Sequence, residues 1–206
     1  MTNAQITALT TGLLAFAAIW AVMLFPLMAR HRSRYGQVSP ARLCSTASVT
    51  LYACLGVAVV LLPLPGPNTP RLEQAVQLVP FQWVADIQEE LAKHGLSAAH
   101  ALSTQTFTQM LMNIALFAPL GLFARVLWRR GLLGATALGF GVSLLVEITQ
   151  LTANFGTAPF AYRIFDVDDL ITNTVGASAG WLAGALVLRA LHSARPALPA
   201  REYAHA

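Results

Sequence analysis

Long apolar stretches alternate with short polar segments along this chain of 206 residues. A membrane-spanning helix needs about 20 consecutive, mostly apolar residues to cross the hydrocarbon core of a bilayer. Five stretches meet or nearly meet this requirement, at about residues 7–29, 43–64, 110–128, 132–151 and 170–188. The pattern therefore predicts an all-α fold, a polytopic membrane helix bundle of about five transmembrane helices.

The composition supports a lipid environment. The chain is 56% hydrophobic and 11% charged, with a mean hydropathy of +0.59, whereas soluble domains carry about 25% charged residues. A net charge of +4 would suit nucleic acid, but the charges lie between the apolar stretches rather than on one basic face. We therefore expect the lipid bilayer as a partner, no nucleic acid, and a multi-pass location in the cell membrane.

The first span differs from a cleaved signal peptide. The segment MTNAQIT before the span holds no Lys or Arg. The apolar run of the span is longer than the 7–15 residues of a signal-peptide core. No small-residue cleavage site precedes Arg30. We expect an uncleaved anchor.

Lysine and arginine positions predict the orientation, because cytoplasmic loops of membrane proteins are enriched in both residues. With five spans, only Arg71, Lys93 and Arg163 fall on one side. The other side holds Arg30, Arg32, Arg34, Arg42, Arg125, Arg129, Arg130, Arg189, Arg195 and Arg201. This distribution predicts an outside N-terminus and a cytoplasmic C-terminus.

The longest segment between spans, residues 65–109, is predicted to lie outside. It opens with PLPGPNTP, whose prolines prevent the second span from continuing. Farther on, Val84, Ile87 and Leu91 recur at helical spacing in FQWVADIQEELAKHG. This spacing predicts a short amphipathic helix, which either lies on the outer membrane surface or docks on the bundle as a connector.

Polar side chains inside the predicted spans indicate a candidate site, because such residues are costly in hydrocarbon. They converge near the outer ends of spans 3, 4 and 5 and in the loop that joins spans 4 and 5. At 1.5 Å rise per residue, we expect them within about 6 Å of the outer interface. This set, called here the outer polar cluster, consists of Asn113, Glu147, Gln150, Arg163, Asp166, Asp169 and Asn173.

Glu147 needs a partner or a proton, because an unpaired carboxylate in hydrocarbon is costly. Arg163 can bind a carboxylate through two N–H groups, so one interpretation is a salt-bridged latch of Arg163, Glu147 and one Asp. The other is a binding site, in which the excess acidic charge holds a divalent cation, an amine or a proton. The two are compatible. No motif in the chain assigns a cofactor or a dedicated metal site.

Small residues in span 5 predict a packing seam. Gly176, Gly180 and Gly184 recur every four residues, a spacing that lets another helix approach closely. We expect the seam to pack against span 3 or span 4, and a dimer interface is the alternative.

Three stretches, NIALFAPLGLFARVLW, SLLVEITQL and YRIFDVDDLITNTVGASAGWLAG, resemble the VanZ-like family. Its motifs N-x-x-x-F-x-P-x-G, E-x-x-Q and R-x-x-D-x-x-D-x-x-x-N-x-x-G fall on Asn113, Pro119, Gly121, Glu147, Gln150, Arg163, Asp166, Asp169, Asn173 and Gly176. The resemblance divides the chain into a first transmembrane anchor with a basic cytoplasmic loop (1–49), a VanZ-like membrane domain (50–190) and a short cytoplasmic tail (191–206).

The resemblance implies a small bacterial membrane protein of the cell envelope. The family's namesake is linked to low-level resistance to teicoplanin, a lipoglycopeptide that binds cell-wall precursors. One hypothesis is therefore a non-enzymatic protein whose outward-facing cluster binds a lipid-linked cell-wall precursor, a lipid head group or the lipoglycopeptide. A second is a membrane enzyme for an isoprenoid- or lipid-linked substrate, with Glu147 as acid or base. A third is a structural scaffold without a binding site.

Overall fold

The computed structural model describes residues 3–66 and 68–194. Five long helices in these ranges have the length and apolar composition to cross a membrane, which confirms the predicted all-α bundle and the number of spans. The helices are α1 (Asn3–Tyr35), α2 (Pro40–Leu61), α3 (Gln82–Lys93), α4 (Gln105–Val126), α5 (Leu132–Leu151), α6 (Ala153–Gly156) and α7 (Val167–Ser193), with a 3₁₀ turn at Ala98–Ser103 and two short strands, β1 (Val76–Gln77) and β2 (Phe165–Asp166).

The bounds of α5 match the prediction, whereas those of the other long helices differ from it. α1 and α7 extend beyond the predicted spans at both ends, and α2 and α4 begin and end earlier than predicted. α2 ends at Leu61, earlier than predicted, because the chain turns extended at Leu62 before Pro63. α4 begins at Gln105, five residues earlier than the predicted start at residue 110. Asn113 is therefore eight residues, or about 12 Å, from the start of α4, deeper than the 6 Å that we predicted.

α7 packs between α4 and α5 and forms the centre of the bundle. A Cβ atom placed on Gly180 would lie 1.8 Å from the carbonyl oxygen of Ala118, and one on Gly176 would lie 2.4 Å from that of Ile114. The glycine seam of α7, including Gly184, thus faces α4 of the same chain. These positions bring the two backbones into direct contact, which larger residues would prevent.

α1 and α2 form a hairpin that packs mainly on itself. α2 contacts the other helices at few points. Within the span, the Tyr52 hydroxyl donates to the carbonyl of Leu116 at 2.9 Å. The predicted boundary between residues 49 and 50 falls inside α2.

The two ends of the bundle differ in charge. One end, called here the acidic end, is formed by residues 62–66, 68–104 and 152–166, and parallel pairing of β1 with β2 joins the two segments. The basic end carries the connections at 36–39 and 127–131. Within the described residues the acids lie toward the acidic end, at Glu73, Asp86, Glu89, Glu90, Glu147, Asp166, Asp168 and Asp169. We predict that the acidic end faces outward; Arg195 and Arg201, part of the predicted cytoplasmic tail, lie outside the described residues.

The short helix α3 confirms the predicted amphipathic element at residues 81–95. Ile87 and Leu91 are 7% and 8% exposed, and α3 packs on α4. Val84, predicted on the same apolar face, is 42% exposed instead. α3 is thus docked on the bundle as a connector, which is one of the two arrangements that the sequence allowed.

Candidate functional site

The C-terminal carbonyls of α2 lack ordinary helical partners. Pro63 and Pro65 carry no N–H, so the carbonyls of Val59 and Leu61, four residues before them, have no intrahelical donor. The hydroxyl of Tyr162 donates to the carbonyl of Leu61 at 2.7 Å. A side chain from the loop between α5 and α7 thus replaces a missing backbone donor.

Arg163 and Gln150 of the outer polar cluster cap the same end of α2. One terminal nitrogen of Arg163 donates to the carbonyls of Val59 at 3.3 Å and Leu62 at 3.2 Å. Gln150 donates to the carbonyl of Val60 at 3.4 Å. A cation is favourable here because carbonyl dipoles converge at a helix C-terminus.

The latch predicted between Arg163 and a carboxylate is therefore not the arrangement that forms. Both hydrogen bonds of Arg163 to described residues go to backbone carbonyls at the C-terminal end of α2, those of Val59 and Leu62. The physical reason is that Pro63 leaves the Val59 carbonyl without an intrahelical donor inside a span, where an unpaired carbonyl is costly, and the Leu62 carbonyl lies just past the last residue of the helix. Arg163 ties the loop to α2 rather than closing the α5–α7 hairpin.

Glu147, Asp169 and Asn113 come from three helices and meet between α4, α5 and α7. Glu147 is 1% exposed, and its Oε2 accepts the backbone N–H of Asp166 at 3.0 Å. Asn113 Nδ2 donates to Asp169 Oδ1 at 2.6 Å. The charges of Asp169, Asp166 and Arg163 act on Glu147. The structure thus brings these members of the cluster together.

Asn173 extends this network one helical turn along α7. Its Nδ2 donates to the hydroxyl of Ser143 on α5 at 2.9 Å, and the two residues are 4% and 0% exposed. Its Oδ1 has no hydrogen-bond partner among the described residues. The network links α4, α5 and α7 through side chains that are largely buried.

Two aspartates organise the start of α7. The Asp166 carboxylate accepts the N–H of Asp168 at 2.8 Å and so caps the helix. Burial raises the pKa of Asp166, and the N–H of Asp168 opposes this effect. Asp168, 6% exposed, accepts the N–H groups of Phe81 at 2.6 Å and Trp83 at 3.1 Å. α7 thereby holds the first turn of α3.

Glu90 fixes the other end of α3. Its carboxylate accepts the N–H groups of Gln105 at 2.6 Å and Thr106 at 3.1 Å, and also the Thr106 hydroxyl at 3.1 Å. The N–H of Gln105, followed by that of Thr106, lowers the pKa of the Glu90 carboxyl. The first turn of α4 is therefore capped by a residue of α3.

An apolar groove of about 660 Å³ lies between α2, α4 and α5. Val57 and Leu145, on its two walls, are 59% and 57% exposed, so the groove opens on the flank of the bundle. Its lining is almost entirely apolar and consists of Tyr52, Ala53, Gly56, Val57, Val60, Leu61, Leu62, Leu64, Leu116, Phe117, Val142, Leu145, Val146, Thr149, Asn154, Phe155 and Thr157.

α6 covers the acidic end of this groove. Ala153, Asn154, Phe155 and Gly156 all have positive φ, from 51° to 79°, so this turn is left-handed and strained at its three non-glycine positions. Asn154 is 7% exposed, and its Nδ2 donates to the Tyr162 hydroxyl at 2.9 Å. Its Oδ1 has no partner among the described residues. A residue that lines the groove thus carries a buried acceptor without a donor.

The outer polar cluster is therefore divided into two groups. Asn113, Glu147, Asp166, Asp169 and Asn173 lie between α4, α5 and α7, whereas Gln150 and Arg163 lie at the end of α2. Glu147 does not line the groove. Among the described residues, no three His, Cys, Asp or Glu side chains are grouped to hold a metal ion.

Neither the groove nor the roles of Tyr162 and Asn154 at the end of α2 were predicted from the sequence. The need for a donor such as Tyr162 could have been predicted, because Pro63 and Pro65 lack the N–H groups that would bond to carbonyls of α2. Asp168, which is not in the predicted cluster, anchors the first turn of α3. The groove could not be predicted from the sequence, because its apolar lining residues have the same composition as a lipid-facing helix surface.

Comparison with protein families gives a match over most of the chain. The family model described as VanZ/LLP1 matches residues 49–188, which include every member of the outer polar cluster and all of the groove. No curated protein and no solved structure matches the chain.

Proposed function

Because the chain belongs to the VanZ/LLP1 family, we propose that this multi-pass membrane protein acts in the cell envelope by holding the hydrocarbon chain of a lipid or lipid-linked molecule. The groove between α2, α4 and α5 is the observation that carries the proposal. Its lining is apolar, and a groove that opens on the flank of a membrane bundle faces lipid chains.

The length of the groove suits a chain from one leaflet. Tyr52 lies nine residues before Leu61 on α2, which corresponds to about 14 Å along the helix. The hydrocarbon core of a bilayer is about 30 Å thick. The groove therefore runs from the acidic end of the bundle to about the middle of the membrane.

The outer polar cluster supports this function as the frame of the groove. Its members between α4, α5 and α7 hold the helices that form one wall. Gln150 and Arg163 hold α2, the other wall, at the rim. We thus assign to most of the cluster a positioning role and to Arg163 a place where a head group would lie.

A link to lipoglycopeptides follows if the acidic end faces outward, as the distribution of arginines predicts. The groove then opens in the outer leaflet, where a lipid-linked cell-wall precursor displays its head group. Holding such a precursor, or the acyl chain of a teicoplanin-type drug, would change the access of the drug to its target.

Replacement of Gly56 by Phe tests the groove. A Cβ at Gly56 meets open space within 4 Å, so the ring enters the groove without displacing the backbone. Gly141 on α5 also has open space and does not line the groove, so Gly141→Phe is the matched control. Native mass spectrometry of the full chain in detergent counts the lipid molecules that remain bound, both those that co-purify and those that are added.

We expect Gly56→Phe to lose at least half of the bound lipid and Gly141→Phe to keep it. Equal lipid retention by both variants and the parent protein would contradict the proposal. The same three proteins, expressed at equal levels in a susceptible bacterium, test the drug link: only the parent protein and Gly141→Phe should shift the teicoplanin concentration that stops growth.

A further inference from the structure

We propose that the occupant of the groove is a phospholipid whose head group carries a primary amine. Arg163 would bind its phosphate, Asn154 would accept a hydrogen bond from its ammonium group, and one chain would fill the groove. This inference rests on the proposed function and adds the chemical class of the ligand.

Arg163 is the candidate phosphate contact. Its guanidinium has five N–H donors, and the two on one terminal nitrogen bond to Val59 and Leu62. The other three make no hydrogen bond to a described residue. Leu62 lines the groove, so the unused donors lie at the rim, and a guanidinium binds phosphate oxygens through two parallel N–H groups.

Asn154 supplies the acceptor. The Tyr162 hydroxyl has one proton, which it donates to Leu61, so it can only accept a hydrogen bond from Asn154. This arrangement fixes the amide with Nδ2 toward Tyr162 and Oδ1 turned away from it. The Oδ1 atom is buried without a donor, and Asn154 lines the groove. A ligand with an N–H group would satisfy it.

Asn154 and Arg163 meet the same short segment of α2. Asn154 reaches Leu61 through the Tyr162 hydroxyl, and Arg163 bonds directly to the next residue, Leu62. The side chain that carries the acceptor and the cation are therefore tied to consecutive residues of one segment, the first through the Tyr162 hydroxyl and the second directly. The phosphate and amine of one lipid head group are a few bonds apart and can address both.

The charge of the acidic end selects the amine. Eight carboxylates and three basic side chains lie toward this end, and those nearest Arg163 already accept hydrogen bonds from protein donors. A lipid with a net negative head group would be repelled by this surface, whereas an ammonium group would be attracted. Charge complementarity thus favours a head group with both signs of charge.

Three lipids with identical chains test the inference: phosphatidylethanolamine, phosphatidylcholine and diacylglycerol. The first has phosphate and N–H donors, the second has phosphate but no N–H, and the third has neither. Each competes with a labelled lipid on the full chain in detergent. We expect phosphatidylethanolamine to bind about tenfold more tightly than phosphatidylcholine, which in turn exceeds diacylglycerol by about tenfold.

Two variants assign the contacts. Asn154→Gly keeps the left-handed backbone and should abolish the preference for phosphatidylethanolamine over phosphatidylcholine alone. Arg163→Gln should abolish the preference for phosphatidylcholine over diacylglycerol, and Arg163→Lys should retain it. Tyr162→Phe removes a neighbouring cap of α2 without removing charge, so it should also retain the phosphate preference and thus controls for loosening of the helix end.

Equal binding of the three lipids to the parent protein would overturn the inference. If Gly56→Phe still lowered lipid binding in that case, the groove would hold chains without recognising head groups and the proposed function would stand. Equal binding together with no effect of Gly56→Phe would overturn both. Equal binding of phosphatidylethanolamine and phosphatidylcholine would also overturn the inference, because the amine would then have no role.

Discussion

The Asp168 carboxylate accepts the backbone N–H of Phe81 at 2.6 Å, although the two residues are 87 positions apart in the chain. With the N–H of Trp83 as a second donor, one side chain of α7 serves as the cap of α3. α3 has no capping side chain of its own, since Phe81 stands at its N-cap with φ of 64°. The connector between two spans is therefore held by a third span.

Removal of this cap should loosen α3. We expect Asp168→Ala to lower the free energy of unfolding by about 1–2 kcal/mol, because two N–H groups in the first turn of α3 lose their acceptor. Hydrogen exchange should accelerate within Gln82–Lys93. Glu89→Ala, an exposed position on the same helix, is the control. Unchanged exchange in α3 of the Asp168 variant would contradict the capping role.

The Glu90 cap of α4 should depend on pH. Its folded-state pKa is lowered by the N–H groups of Gln105 and Thr106, so its stabilising effect is present above the unfolded pKa of about 4.3. The effect disappears as the pH falls through the lowered folded-state value. The protection factors of the first amides of α4, which correct for the pH dependence of intrinsic exchange, should therefore fall at acidic pH in the parent protein. In Glu90→Gln these protection factors should be low already at pH 7.

The glycine seam should tolerate no side chain. Gly180→Ala places a methyl group against the carbonyl of Ala118 and should destabilise the bundle by about 1–3 kcal/mol through separation of α4 and α7. Thermal unfolding in detergent measures the loss. Gly141→Ala, where a Cβ meets open space, should be neutral. Equal melting temperatures would show that the two helices are not in direct contact.

Tyr162 should fasten the α1–α2 hairpin to the other helices. Tyr162→Phe leaves the Leu61 carbonyl without a donor and should cost about 1–3 kcal/mol in thermal stability. Tyr35→Phe is a suitable control, since the Tyr35 hydroxyl makes no hydrogen bond within the described residues. A double-mutant cycle with Arg163→Gln should give a measurable coupling free energy, because both side chains donate hydrogen bonds to carbonyls at the C-terminal end of α2. Strict additivity would mean that the two act separately.

Labelling of single cysteines would check the predicted orientation. In a background without Cys44 and Cys54, an impermeant maleimide added to intact cells should label Ser97→Cys at the acidic end. It should not label Gly131→Cys at the basic end until the cells are permeabilised. The reverse pattern would place the groove in the inner leaflet and remove the argument that links it to lipoglycopeptides.

The spans could be read from the sequence because lipid imposes a single dominant rule on long apolar stretches. α5 was located to the residue, and the glycine spacing of α7 pointed to a close neighbour. The hydrogen-bond partners were not predictable to the same degree. One interpretation placed Arg163 at a carboxylate because opposite charges attract, yet it bonds to the carbonyl of Val59, which Pro63 leaves without a donor, and to that of Leu62. Asp168 could not be placed, since the fold alone brings Phe81 to it.

Because the groove opens toward the surrounding leaflet, its affinity for a lipid has to be expressed as a mole fraction in the membrane rather than as a concentration in water. A molecule that enters past Val57 and Leu145 comes from the surrounding leaflet by diffusion in two dimensions and does not dissolve in water first. Occupancy then follows the mole fraction of the lipid in that leaflet. In two membranes that contain the same amount of this protein but differ in lipid composition, the fraction of grooves occupied by lipid would differ.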